Sequence, residues 1–147
     1  TEEEYDRIMN INTKATFLAC QVFGKYFIGN EIPASIINLG SMSGLIPLSR
    51  VFTYSMSKGA VHNLSRNLAR EWAPLGIRVN TLVPGWVMTD KQLKLWVDDA
   101  AREKIAQSQC LPGSVLPAHI ANMALFLASD VSAMCSAQNF IVDGGWV

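Results

Sequence analysis

A chain of 147 residues, half of them hydrophobic, is long enough for one domain with a true apolar core. Twelve basic residues balance twelve acidic ones, so no charge excess recommends a nucleic-acid or membrane-surface partner. Apolar stretches stop short of the about 20 residues that a membrane span needs, and no charged and apolar leader pattern opens the chain.

The first residues read as a helix start. Thr1 with Glu4 forms an S/T-x-x-E capping box ahead of Tyr5, Ile8 and Met9. A helix signal at the first residue, with no methionine before it, suggests a chain cut from something longer. Residues 2 to about 28 show apolar side chains at spacings of three and four, including Ile8, Ile11, Ala15, Leu18 and Val22. Gly29 and Asn30 end this helix, and Pro33 lies in the following loop. Residues 35 to 39 (SIINL) form a short strand, followed over 40 to 50 by a loop rich in Ser, Gly and Pro. A second long helix is expected from 53 to about 72, closed by Pro74 and Gly76. The strand IRVNTLV at 77 to 83 stops at Pro84-Gly85. Two shorter helical pieces fill roughly 90 to 109, and another helix runs from 117 to 128 with Ile120, Met123, Ala124 and Leu127 inward. A last strand, 140 to 142, precedes the Asp143-Gly144-Gly145 turn. Alternating helix and strand predicts an α/β fold, a parallel sheet covered by helices on both faces, in one domain or part of one over 1–147.

Three cysteines, Cys20, Cys110 and Cys135, have no metal-like spacing, so no metal site is expected. They read as small buried residues in a reducing cytosol, which points to a cytoplasmic protein.

The chemistry concentrates at Tyr54-Ser-Met-Ser-Lys58. Residues i and i+4 share a helix face, so the ammonium can approach the phenol. An unperturbed tyrosine has a pKa of about 10, and a nearby cation favours phenolate, the form able to take a proton from a hydroxyl. Taken alone, Y-x-x-x-K recurs by chance and also fits an exposed aromatic beside a solvated lysine. Ser41 adds support. It follows SIINLG at a strand C-terminus, where open α/β sheets bind ligands, and could hydrogen-bond the oxygen that Tyr54 serves. It also fits a turn-forming serine, as does Ser43. Asn12 is an unfavourable polar residue inside a helix, which a specific role would explain.

Asn12, Ser41, Tyr54 and Lys58, with N-L-G-S-M-S-G before the tyrosine, resemble the catalytic tetrad of the short-chain dehydrogenase/reductase family. The segment from Ile77 to Gly85 and the closing Val142-Asp-Gly-Gly145 match the same family in the same order. The resemblance implies the C-terminal part of a doubly wound Rossmann-type parallel sheet, with the first strands and the glycine-rich phosphate turn absent. No G-x-G-x-x-G occurs in the chain.

It also implies roles. Tyr54 would be the general acid/base; Lys58 would lower its pKa and bind the nicotinamide ribose. Ser41 would orient the substrate oxygen, and Asn12 would hold a water in a proton relay. Pro84, Gly85 and Val87 would line the nicotinamide of NAD or NADP, and Thr89 would reach its carboxamide or phosphates. Thr89 also fits a helix N-cap. The strand at 35 to 39 would expose an edge normally paired, an association hazard.

The stretch from Pro84 to Val147 is similar to the family's sugar 1-dehydrogenases, whereas Cys20-Gln-Val-Phe-Gly24 and Arg50-Val51 look closer to relatives acting on sugar acids. Both imply a sugar or sugar-derived substrate. Met42, Trp86, Met88, Gln92 and Trp96 are candidates to contact it alongside Ser41, by stacking or hydrogen bonding. The tryptophans also fit core packing. His62 and His119 attract no role. Pro117-Ala118-His119 and Ser136-Ala137 depart from common family residues at structural positions. The two long helices are those with which family members pair, so a dimer or tetramer of the complete protein is expected. The alternative is a non-catalytic fragment that folds or associates only with a partner chain.

Overall fold

The computed structural model describes residues 1–147. Thr1 caps helix α1 (Glu2–Met9), its hydroxyl accepting from the Glu4 N–H at 3.2 Å. The helical path then continues through a π turn, Asn10–Lys14, into α2 (Ala15–Gly29). The sequence predicts one uninterrupted helix here; the structure inserts a turn in which the Ala15 N–H reaches back five residues to the Asn10 carbonyl. Periodicity of apolar residues cannot show this, because the turn is held from outside. Asn12 Nδ2 donates to Ser57 Oγ at 3.0 Å, and Thr13 Oγ1 donates to the Ser57 carbonyl at 3.4 Å.

Three strands form one parallel sheet in the order β1 (Ala34–Leu39), β2 (Ile77–Pro84), β3 (Asn139–Val142). Ala34 pairs with Ile77 and Leu39 with Leu82, while Thr81 pairs with Asn139 and Pro84 with Val142. β2 is central and almost wholly buried. β1 has β2 as its single neighbour, so its other edge is unpaired. Parallel strands need crossovers, and α3 (Phe52–Trp72) supplies the first, whereas α4 (Asp90–Leu95), α5 (Asp99–Ser108) and α6 (Pro117–Ala128) lie in the second. The observed class is the α/β Rossmann type expected.

The alternation along β2 separates two faces. Ile77 and Val79 pack with Ala69 of α3, joined by Phe27, Ile36, Leu68 and Trp72. On the other face Arg78 donates to the carbonyls of Leu127, Ser129 and Cys135 at 3.0–3.3 Å. A cation there satisfies carbonyls that the end of α6 leaves free. Leu127 is fully buried, and Ile120, Met123 and Ala124 share its inward face. α3 buries polar residues as well as Val61: Ser57, His62 and Ser65 are each at most 3% exposed. Ser65 accepts from Asn38 Nδ2 at 3.0 Å, and Cys20 donates to Asn38 Oδ1 at 3.4 Å.

The cysteine expectation needs correction. All three thiols are free, but only Cys20 is buried; Cys110 is exposed and Cys135 intermediate. Cys110 sits where the chain meets the C-terminal turn, its thiol donating to the Gly145 carbonyl at 3.2 Å. No helix is long and apolar enough to cross a membrane.

Candidate active site

The C-terminal ends of β1 and β2 lie side by side, and each leads straight into predicted site residues. After β1 the Gly40 N–H makes the last ladder bond, to the Leu82 carbonyl at 2.8 Å. The chain then turns through the short 3-10 segment Met42–Gly44, with Ser41 as its cap. Ser41 Oγ accepts from the Ser43 N–H at 3.2 Å and from the Ser43 hydroxyl at 3.0 Å. A hydroxyl has one proton to give and two lone pairs to fill. With both lone pairs occupied, the Ser41 proton is left to donate outward. Ser41 therefore shapes the turn and keeps a hydroxyl proton to give. Met42 is buried at 5% exposure beneath that turn.

α3 brings Tyr54 and Lys58 alongside. Lys58 Nζ lies 5.8 Å from the Tyr54 ring centroid and donates to the Leu39 carbonyl at 2.9 Å. That bond ties the lysine to the last residue of β1, two positions before Ser41. Burial pushes the Lys58 ammonium below the usual lysine range. Tyr54 is 37% exposed, open to an incoming molecule. Behind it, Ser57 Oγ donates to the Tyr54 carbonyl at 2.7 Å while accepting from Asn12 Nδ2. Thr16 Oγ1 in turn donates to the Asn12 carbonyl at 2.6 Å. Asn12 thus joins the assembly through Ser57, and the π turn sets its side chain toward α3.

Beyond β2, Pro84 pairs with Val142, and the Gly85 N–H bonds the Val142 carbonyl at 3.0 Å. Trp86 Nε1 donates to Gln92 Oε1 at 3.0 Å, and its ring centroid lies 6.5 Å from that of Trp146. Val87 forms a bridge with Val115; its carbonyl accepts from the Thr89 N–H at 2.9 Å, and no bond of the fold uses its own N–H. Thr89 caps α4, accepting from the Gln92 N–H at 3.2 Å. Met88 is 9% exposed and packs with Val97 and Ile105 against Trp86 and Trp146. Trp96 is half exposed, with the Lys91 ammonium 5.9 Å from its ring. Trp86 and Gln92 therefore work as a pair, Met88 supports them from below, and Trp96 stands at the outer surface.

Sequence reasoning missed three supports. Ser57 lies inside Y-x-x-x-K and links two tetrad residues, a role its side chain type does not announce. Asp143 was legible only as part of a turn. Its two carboxylate oxygens accept from the Gly145 and Val147 N–H groups at 2.8 and 2.9 Å, which fixes the Trp146 segment. His62 Nε2 accepts from the Ser41 N–H at 3.3 Å. An i+8 spacing from Tyr54 on the buried face of a helix is the only trace of it in the sequence.

Comparison with known proteins decides the kinship. Residues 1–147 match the family model described as "Enoyl-(Acyl carrier protein) reductase" from end to end. The chain belongs to the short-chain dehydrogenase/reductase family. It is 38% identical over 151 residues to a galactitol 2-dehydrogenase (L-tagatose-forming) of Cereibacter sphaeroides, covering 95% of this chain and 56% of that protein. A gluconate 5-dehydrogenase from Burkholderia cenocepacia, solved with NADP and tartrate, superposes with a TM-score of 0.93 at 26% identity. The match covers 99% of this short-chain dehydrogenase/reductase and 57% of that structure. A 4-hydroxyisoleucine dehydrogenase solved with NADH and succinate gives 0.92 at 28% identity, over 100% of this chain and 60% of the other. The chain thus spans a little over half the length of the relatives it matches.

Proposed function

We propose that this chain carries the catalytic part of an NAD- or NADP-dependent dehydrogenase that interconverts an alcohol and a carbonyl on a sugar or sugar derivative. The observation that carries this reading is the convergence of Tyr54, Lys58 and Ser41 at the C-terminal ends of two adjacent parallel strands, with Lys58 anchored to the Leu39 carbonyl. Two of the three relatives named above are by name dehydrogenases of a polyol, galactitol, and of a sugar acid, gluconate, which supports the substrate class, while the third acts on 4-hydroxyisoleucine. The cofactor's nicotinamide end fits the residues present. Val87 offers an unused backbone N–H, Thr89 retains a hydroxyl proton after capping α4, and Lys58 holds its ammonium at the C-terminal end of β1.

The bound nicotinamide supplies the hydride acceptor for oxidation and the hydride donor for reduction. In the oxidative direction Tyr54 Oη takes the hydroxyl proton as the carbon loses its hydride, leaving a carbonyl. In the reductive direction the same oxygen returns a proton. Ser41 donates to the reacting oxygen throughout, stabilising the negative charge that grows there. Lys58, held beside the Tyr54 ring and tied to the Leu39 carbonyl, keeps a cation next to the phenol and would bind the nicotinamide ribose. Asn12 and Ser57 hold the helix turn that presents Tyr54. Trp86 with Gln92, and Trp96 beyond them, would meet the apolar face and hydroxyls of the sugar.

The decisive experiment replaces Tyr54 by Phe in the protein as the cell makes it and follows NAD(P)H absorbance with a panel of aldoses, polyols and sugar acids. The expected loss of kcat is roughly 10²- to 10⁴-fold with the fold retained. Unchanged turnover would overturn the assignment.

A second reading has its own observation. The β1 edge is unpaired, and Phe17, Val22, Phe23 and Tyr26 of α2 are exposed, so the chain by itself would act as an associating fragment. Sedimentation of the isolated chain at rising concentration tests it: a stable monomer argues against this reading.

A further inference from the structure

Ser41 is the first residue beyond the β1–β2 ladder. Gly40 makes the last ladder bond, so the Ser41 N–H would have no partner at the point where the chain turns away from the sheet. An imidazole fills that gap. His62, 3% exposed on the buried face of α3, accepts the Ser41 N–H at Nε2. The loop is cut to fit the ring. A Cβ on Gly40 would overlap His62 Nε2, and one on Gly44 would lie 3.0 Å from His62 Cε1 and 2.8 Å from the Gly59 nitrogen. The two glycines of N-L-G-S-M-S-G are therefore the space in which His62 sits.

We propose that His62 is a positioning residue for the reaction: its neutral imidazole, lodged between Gly40 and Gly44, holds the Ser41 backbone and so aims the Ser41 hydroxyl. The inference rests on the reading above in which Ser41 orients the substrate oxygen. Only the tautomer with a bare Nε2 can accept this bond, since a proton on Nε2 would face the Ser41 N–H. The surroundings keep it bare. Burial disfavours the imidazolium most, and the cations Arg66, one turn later on α3, and Lys58, one turn earlier, add to it. β1 carries no charged residue, and the single charge on β2, Arg78, is held on the opposite face. The nearby Cys20 thiol is engaged with Asn38, and the Met42–Gly44 turn has no titratable group. No carboxylate faces the ring to favour its protonation. Nδ1 is buried without a protein partner, so Ser41 provides the ring's one protein hydrogen bond.

The experiment uses His62→Leu and His62→Gln in the natural protein, measured in the direction of carbonyl reduction from pH 5 to 8. Wild-type activity should fall as the pH drops below the usual histidine range. His62→Leu, which has no acceptor, should lose roughly 3- to 10-fold in kcat at every pH with KM for the nicotinamide little changed. His62→Gln, whose amide oxygen can accept the Ser41 N–H and does not titrate, should recover most of that loss and flatten the acid limb. A direct readout that needs no variant is the imidazole ¹⁵N spectrum of the wild type. It should show Nδ1 protonated and Nε2 bare at pH 7.5. A proton on Nε2, or an acid limb that survives in His62→Gln, would overturn the proposal. Ser41→Ala separates the two levels: if it leaves turnover intact, the reading of Ser41 falls and His62 falls with it. If Ser41→Ala abolishes turnover while both His62 variants match the wild type, His62 alone is refuted.

Discussion

On the β1–α3 side of the site, each chemistry-bearing group is tied down by short polar contacts. Lys58 reaches the Leu39 carbonyl, Asn12 reaches Ser57, Ser57 reaches the Tyr54 carbonyl, and Ser43 reaches Ser41. Beyond β2 the candidate substrate groups stand differently. Trp86 rests on an apolar cluster of Met88, Val97, Ile105 and Trp146, with a single side-chain bond to Gln92. Hydrogen bonds are directional and fail over fractions of an ångström, whereas apolar packing tolerates replacement by another side chain of similar volume. The first region is built to hold the proposed proton-transfer groups in one geometry. The second is built so that its surface can change without disturbing that geometry.

The largest expected effect that sharpens this contrast is Lys58→Met, which removes the cation beside Tyr54 and leaves the Leu39 carbonyl without its donor. Turnover should drop by roughly 10²-fold or more, read from steady-state rates at saturating cofactor. Ser57→Ala comes next. It strands the Asn12 amide, a part-buried donor, and should destabilise the fold by about 1–3 kcal/mol, seen as an earlier urea midpoint with unchanged slope. An unchanged midpoint would mean that the Asn12–Ser57 contact is not a support. Smaller still is Trp86→Phe, which keeps an aromatic surface but deletes the donor to Gln92. It should reorder the preference among sugars by about tenfold or less in kcat/KM and leave the kcat for the best substrate nearly unchanged. A large fall in kcat for every substrate would erase the distinction between the two regions.

The smallest effect is in the pH dependence of stability. The folded pKa of His62 lies below its unfolded value, so the unfolded chain takes up a proton first as the pH falls. The contribution of neutral His62 is complete above a pH of about 6.5 and is lost as the pH falls through the folded pKa. Urea midpoints measured between pH 7.5 and 5 should decline less steeply in His62→Gln than in the wild type.

Much of the fold was legible from periodicity. IRVNTLV read as a strand stopped by Pro84-Gly85, and the structure forms it from Ile77 to Pro84 and buries all of it but Arg78 and Pro84. β1 and α3 each begin one residue earlier than the sequence suggested, at Ala34 and Phe52, and β3 begins at Asn139. The π turn was not legible, because Asn10–Lys14 keeps the dihedral angles and apolar spacing of an ordinary helix while its register is shifted by contacts to α3. The tetrad was legible as a pattern of residue types with a family resemblance. The supports were not: a serine, a histidine and two glycines have many uses, and only the packing of α3 against β1 gives Ser57, His62, Gly40 and Gly44 theirs.

The sequence by itself determined the α/β class, the order of helices and strands, and the chemical identity of the candidate site residues. Those properties depend on neighbours within a few positions along the chain, such as the i, i+4 spacing of Tyr54 and Lys58. Only the tertiary structure decided which polar groups are buried together. Asn12 and Ser57 are 45 residues apart, and Ser41 and His62 are 21 apart. Hydrogen bonds between such distant residues follow from how the sheet sets α3 beside the β1 turn and the π turn, a geometry that no local pattern encodes.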